Sequence, residues 1–229
     1  MSRNFDAAQT QYLIRDMPVV SQQPLTMACW FYPTSFATSI TPLCLGSASP
    51  LNFYELLITS FNKRLSFRLK DSTTPVGAMA LGALSVNQWY HACGVSWGPD
   101  LHVCYLDGRN RVESTAACSP TGIDATLIGA QKAGTIATPF AGRLAEVAFW
   151  NEALTDQEVY KLANGGSLLT VRPWAIQAYY PLVAGDLDAV GHNHMTPMNK
   201  PTWALPMYRA FPFERRLWYF AQPARWSFE

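Results

Sequence analysis

The chain has 229 residues, 49% of them hydrophobic and only 14% charged. A globular domain normally carries about a quarter charged residues, so this sparse charge excludes a disordered or solvating chain. Lys and Arg total 17 against 16 Asp and Glu, a net charge of +1, which leaves no basic field to hold nucleic acid by counterion release.

Aromatics at 13%, with 16 Pro and 14 Gly, suit short strands joined by tight turns and argue against a helical bundle. In chain order, Asn4 to Asp16, with Phe5, Tyr12, Leu13 and Ile14, predicts a first pair of strands. In Leu25 to Pro33, Leu25, Met27, Cys29 and Phe31 alternate, the period-two signal of a strand. Pro33 closes it, because proline cannot donate to a ladder. Pro42 to Gly46 predicts a short strand, and Phe53 to Thr59 pairs with Arg64 to Lys70 across Phe61-Asn62-Lys63. Gln88 to Trp97 and Leu101 to Leu106 are joined by Gly98-Pro99-Asp100, a sequence with turn chemistry. Asp107-Gly108 predicts a hairpin turn. Thr126 to Gly129 and Gly142 to Trp150 complete about ten strands, at the spacing of a sandwich.

A helix is expected over Asn151 to Asn164: Thr155 caps it, Glu158 three residues on completes a capping box, and Gly165-Gly166 stop it. The five cysteines, at 29, 44, 93, 104 and 118, are odd in number and include no Cys-x-x-Cys, so reduced structural thiols are expected rather than a zinc or redox site. The first residues hold no apolar h-region, so no secretory signal is expected and synthesis in a cytoplasm is. No apolar run approaches the length of a membrane span, so no membrane partner is expected.

Four segments together resemble the laminin-G-like, concanavalin A-like jelly roll. They are Leu25 to Pro33; Trp89-Tyr-His with Tyr105-Leu-Asp-Gly108; Phe140 to Val159; and Ala178-Tyr-Tyr-Pro-Leu182 with Asp188 and Gly191. The resemblance spans about residues 3 to 195. It implies an all-β fold: a two-sheet antiparallel jelly-roll sandwich over residues 1–198 with one short helix. Outside the resemblance, residues 199–229 are expected to form a separate, extended C-terminal arm. Such a fold hosts lectins, glycosidases, adhesion modules and virion proteins, so function must come from the sites.

Glycosidases of this fold need two spaced carboxylates, and Glu55, Glu113 and Glu146 each stand alone on their strands. The one Gly-x-Ser-x-Gly, Gly94-Val95-Ser96-Trp97-Gly98, falls in a strand that runs into the Gly98-Pro99-Asp100 turn and not into a helix, so it lacks the strand-to-helix setting of a nucleophile elbow. The chain is therefore expected not to be an enzyme, and no cofactor is expected. His192 and His194 lack a third ligand nearby and read as a polar loop. For calcium, Asp6, Glu146, Asp186 and Asp188 are the candidates by position, short of the six to eight oxygens the ion takes. The other reading has Asp6 and Asp188 capping turns and Glu146 paired with an Arg. Sugar binding would need exposed aromatics, for which Trp30, Tyr32, Trp97 and Tyr105 are the candidates, although sandwich aromatics are usually core.

The arm departs from the resemblance. Residues 199–229 hold nine aromatics, four prolines and five basic against two acidic residues. Prolines preclude a regular helix, and aromatic, Arg-bearing segments are enriched in interfaces. Trp203, Tyr208, Phe211, Phe213, Arg215, Arg216, Trp218, Tyr219 and Trp226 are the candidate partner-binding residues. The arm is expected either to lie on a partner subunit or to fold back over its own sandwich. The resulting expectation is a phage virion subunit, a capsid decoration or head-fibre protein. It would form a homo-oligomer that contacts other virion subunits such as the major capsid protein. The alternative is a carbohydrate-binding adhesin for host-surface glycans.

Overall fold

The structure, a computed structural model, describes residues 2–49, 51–71, 74–183 and 185–204. The described strands are β1 (Ser2–Phe5), β2 (Tyr12–Arg15), β3 (Leu25–Pro33), β4 (Ile40–Gly46), β5 (Phe53–Ile58), β6 (Leu65–Lys70), β7 (Val76–Met79), β8 (Tyr90–Gly98) and β9 (Leu101–Leu106). They continue as β10 (Asn110–Ser114), β11 (Ala125–Ile128), β12 (Gln131–Ala133), β13 (Thr135–Ala137), β14 (Gly142–Trp150), β15 (Ile176–Tyr180), β16 (Thr196–Met198) and β17 (Thr202–Ala204), with one α-helix, α1 (Asp156–Ala163). One sheet has the order β10-β9-β8-β3-β14-β1-β17, with β15 also on β14; the other runs β16-β2-β11-β4-β5-β6-β7. Strand pairing within both sheets is antiparallel. Two such sheets face to face make the jelly-roll sandwich.

The alternating residues of β3 explain why the sheets stack. Leu25, Met27, Cys29 and Phe31 point into the inter-sheet core with Leu56, Phe67 and Phe149. Gly94 on β8 allows a close approach, since a Cβ there would lie 2.4 Å from the Phe67 ring. The other phase of β3 is buried as well, because a second core forms on the outer face of the same sheet. There Ala28, Cys93, Tyr105 and Trp150 pack beneath Val159 and Leu162 of α1. The predicted capping box is present: Thr155 N donates to Glu158 Oε2 at 2.8 Å, and Glu158 N donates to Thr155 Oγ1 at 3.4 Å. Gly108, at φ 72°, turns the β9–β10 hairpin against the helix, where a Cβ would meet Ala163 Cβ at 2.6 Å. A third, smaller core holds Cys44, Phe53 and Leu127 on the outer face of the other sheet, with Ala133 and Ile136 of the β12–β13 hairpin packed against it.

The expected pairing at the N-terminus is corrected. Phe5 and Leu13 do lie on strands, but β1 pairs with β14 and β17, whereas β2 pairs with β11 and β16. The 3₁₀ turn at Ala7–Gln9, capped by Asp6 Oδ1 accepting from Ala8 N at 2.9 Å, carries the chain from one sheet to the other. Both side chains still reach the shared core. Residues 202–204, beyond the boundary expected at 198, pair with β1 as the edge strand of the sandwich.

All five cysteines are free and buried. Loss of hydration on burial holds each thiol above its ordinary range. A thiol-specific reagent should therefore react with none of the five while the protein is folded, and with all five after unfolding in denaturant. Substituting Gly94→Ala should force the Phe67 ring aside and cost about 1–3 kcal/mol, read as a lower urea midpoint at unchanged m-value. Pairing it with Phe67→Leu should recover part of that loss.

Candidate functional site

The four candidate sugar-binding aromatics have different fates. Tyr105 is 1% exposed and its hydroxyl donates to Asp156 Oδ1 at 2.6 Å. It anchors α1 and offers no ring to solvent. Trp30 is 4% exposed and lies edge-on to His91 at 5.1 Å, so it too is packing. Tyr32 is half-buried between the Trp89 ring at 5.5 Å and the Arg143 guanidinium at 4.9 Å. Trp97 differs, at 43% exposed. The expectation of an exposed aromatic set therefore fails for Tyr105 and Trp30, because the helix layer and neighbouring rings cover them.

Trp97 lines a cleft of about 360 Å³ with Gln22, Gln23, Tyr54, Ser119 and Thr121. Three segments distant in sequence meet there: the residues before β3, the β8–β9 turn and the loop before β11. Gln23 Nε2 donates to the Cys118 carbonyl at 3.0 Å, and Ser119 Oγ donates to Gln23 Oε1 at 3.1 Å. Tyr54 closes the floor by donating to the Pro120 carbonyl at 3.2 Å. Sequence reasoning picked out Trp97 but missed the amide and hydroxyl groups beside it. Their one sequence signal is polar residues flanking prolines, which is common to surface loops.

A larger cleft, about 740 Å³, lies at the opposite end of β3, among Asn4, Asp6, Thr34, Ser35, Thr38 and Thr138. Among the described residues lining it, the one aromatic ring belongs to Phe5, which is buried in the inter-sheet core. It has hydroxyls but no open aromatic face, and the Asp6 carboxylate is already used in capping.

The acidic residues serve the framework. Glu55 is fully buried on β5, 3.4 Å from Arg68 Nε, and accepts from Thr41 Oγ1 at 3.4 Å. Glu113 pairs with Arg111 at 2.8 Å on β10. Glu146 sits in the β-bulge of β14 at φ 52° and accepts from the Tyr179 hydroxyl at 2.6 Å. The three carboxylates stand on different strands, and Glu55 is in the other sheet. Asp188 accepts from the backbone N–H groups of Tyr179, Val190 and Asn193 at 2.9, 3.1 and 3.2 Å, a loop staple. His194 Nδ1 accepts from Asp188 N at 3.2 Å, and His192 stacks edge-on to His194 at 6.3 Å. Among the described residues, no group of three or more His, Cys, Asp or Glu is placed to hold a metal ion.

Asp186 binds Arg3 at 2.8 Å, and the Arg3 guanidinium lies 4.0 Å from the centre of the Trp203 ring. Burial lowers the Arg3 pKa and raises that of Asp186, so desolvation outweighs their attraction. Trp203 thus roofs a buried ion pair while remaining 42% exposed. The other candidate partner-binding residues, Tyr208, Phe211, Phe213, Arg215, Arg216, Trp218, Tyr219 and Trp226, lie outside the described residues.

An antiparallel two-sheet sandwich with a helix on one outer face, and with clefts at its ends, defines the class of concanavalin A-like domains. The chain belongs to the concanavalin A-like lectin/glucanases superfamily, whose family model matches residues 6–160. No curated protein matches the chain in sequence. Among solved structures, it is similar to a protein from Bacteroides ovatus described as a candidate carbohydrate-binding protein, at 20% identity and TM-score 0.63, over 88% of this chain and 58% of that one. It is also similar to domain 4 of an extracellular arabinanase from Geobacillus stearothermophilus in complex with arabinotriose, at 20% identity and TM-score 0.55, over 64% of this chain and 70% of that one. A third similarity is to full-length tailspike protein 2 of an Escherichia coli O157:H7 bacteriophage, at 15% identity and TM-score 0.55, over 80% of this chain and 28% of that one. At these identities the likenesses establish the fold.

Burial pushes the Glu55 carboxyl from 4.5 up to about 7, against the opposing pull of Arg68 and Thr41. The folded state therefore holds this proton more tightly than the unfolded chain. The stabilisation is fully present below pH 4.5 and is lost as pH rises towards 7, up to about 3 kcal/mol in all. Glu55→Gln should flatten this part of the curve, seen as the difference between the two proteins' pH–stability profiles in urea. Parallel profiles would show that Glu55 keeps an ordinary pKa.

Proposed function

We propose that the chain is a non-catalytic, glycan-binding module. The observation that carries this reading is the half-exposed Trp97 ring beside the amide and hydroxyl groups of Gln22, Gln23, Ser119 and Thr121. A sugar ring is apolar on its C–H faces and polar at its rim, so it needs a flat aromatic surface with hydrogen-bonding groups around it. The likeness to a candidate carbohydrate-binding protein supports the reading at the level of fold. Hydrolysis would need two carboxylates about 5–9.5 Å apart across the scissile bond. Glu55, Glu113 and Glu146 are instead occupied on separate strands.

A second reading concerns where the module works. We infer a subunit of a phage virion, a capsid decoration or head-fibre protein. It would attach through the aromatic C-terminal segment to its own copies and to subunits such as the major capsid protein. The fold likeness to a phage tailspike and the nine aromatics within residues 199–229 support it. The two readings are compatible: the arm holds the module in place and the sandwich binds.

Incubated with a panel of neutral and acidic oligosaccharides, the full chain should retain glycans without converting them, as followed by affinity capture and product chromatography. Turnover that disappears on a single Glu substitution would overturn the non-catalytic reading. Deleting residues 205–229 spares β17 and the Arg3–Trp203 contact. The truncated chain should keep its melting temperature but lose self-association, measured by light scattering. Unchanged assembly would remove the arm from the interface.

A further inference from the structure

Resting on the glycan-binding reading, we infer that the Trp97 cleft takes the uncharged end of a glycan, a neutral hexose or N-acetylhexosamine, and turns away sugars that carry a carboxylate.

The described residues lining the cleft include no ionisable acid or base other than the Tyr54 phenol, and burial pushes that phenol up, away from ionisation. An acidic sugar that gives up its water is held best by the charge-assisted hydrogen bonds of Arg or Lys. Among the described residues, no Arg or Lys lines this cleft. A negative charge does stand at its wall: Asp71 Oδ2 accepts from Ser119 N at 3.2 Å. Its field reaches the wall, raising the pKa of both Tyr54 and Cys118 behind the burial effect. A sugar carboxylate entering here would lose hydration and meet a like charge.

The groups that remain suit a neutral polyol. Gln22 and Thr121 are exposed at the rim, and each can both donate and accept. Gln23 is held between the Cys118 carbonyl and Ser119 Oγ. That frame uses one N–H and one lone pair of an amide that has two of each. Pro24, Pro99 and Pro120 stiffen three of the walls, so little backbone entropy is lost when a ligand arrives. The volume, about 360 Å³, is near the low end of the roughly 300–1,000 Å³ typical of ligand sites, which favours a chain end over a long stretch of polysaccharide.

The test uses the full chain and two sets of defined oligosaccharides of matched length, one ending in neutral hexose or N-acetylhexosamine, the other in sialic or uronic acid. Affinities are measured by calorimetry. The neutral set should bind. Trp97→Ala should weaken that binding on the order of tenfold or more at an unchanged melting temperature, while Trp97→Phe retains part of it. Gln22→Ala, at an exposed position, serves as the second probe if Trp97→Ala fails to fold. Preference for the acidic set, or neutral binding unaffected by these substitutions, would overturn the assignment of this cleft and leave glycan binding standing. Failure to bind either set would overturn the glycan-binding reading, and this inference with it.

Discussion

Burial on both faces of the β3–β14 pair is the constraint on which the rest of the molecule depends. One phase of β3 supplies Leu25, Met27, Cys29 and Phe31 to the inter-sheet core, and the other places Ala28 beneath the helix layer. β14 does the same with Leu144, Val147 and Phe149 inward and Ala148 and Trp150 outward. A sheet buried on both faces must be covered on its outer side, and α1 with the segment after it does so. Trp150 Nε1 donates to the Val171 carbonyl at 3.0 Å, and Thr26 Oγ1 donates to the Glu152 carbonyl at 2.8 Å, so the covering layer is tied to the strands by buried polar contacts as well as by apolar area. Arg172, paired with Glu152 and Glu158 at 2.8 Å each, pins its outer rim.

This filling decides where a ligand can go. With both sheets packed on their inner faces and largely roofed on their outer ones, open concavities remain at the two ends of β3, where loops meet. Binding groups on loops over a rigid sandwich are a common arrangement, and here the rigid part positions the loops through named contacts. Tyr54, rooted in the inter-sheet core, reaches the Pro120 carbonyl, and Asn52 Nδ2 donates to the Thr121 carbonyl at 2.8 Å. The Trp97 ring therefore stands beside a wall whose shape is set by the core.

The same filling accounts for the fate of the charges. A chain with few charged residues places several of them in partnered, buried or half-buried positions: Arg3 with Asp186, Glu55 with Arg68, and Arg172 with its two glutamates. Such pairs orient segments at a cost in desolvation.

Local signals were legible in the sequence. The β5–β6 and β8–β9 pairs, the Asp107-Gly108 turn and the Thr155–Glu158 capping box each depend on residues a few positions apart, and alternation and cap chemistry act at that range. The free thiols also followed from the odd number of cysteines and the absence of a Cys-x-x-Cys pair. What pairs with what over long distances was not legible. Nothing local tells β1 to join β14 and β17 rather than β2, because that choice is made by inter-sheet packing of Phe5 and Leu13 together. Nor could composition separate Tyr105 and Trp30, sealed under other layers, from Trp97, left open at an end: all three are aromatics on or beside strands, and exposure depends on which distant segment lands over them. The sequence by itself determined the longer strands, the helix and the sandwich class, whereas the short strands β7, β12, β13, β16 and β17 carry no alternation long enough to read and exist only by pairing with their neighbours. Tertiary structure alone decided the Trp97 cleft, since its walls come from residues 22–24, 97–99 and 119–121, segments that only the closed sandwich brings together.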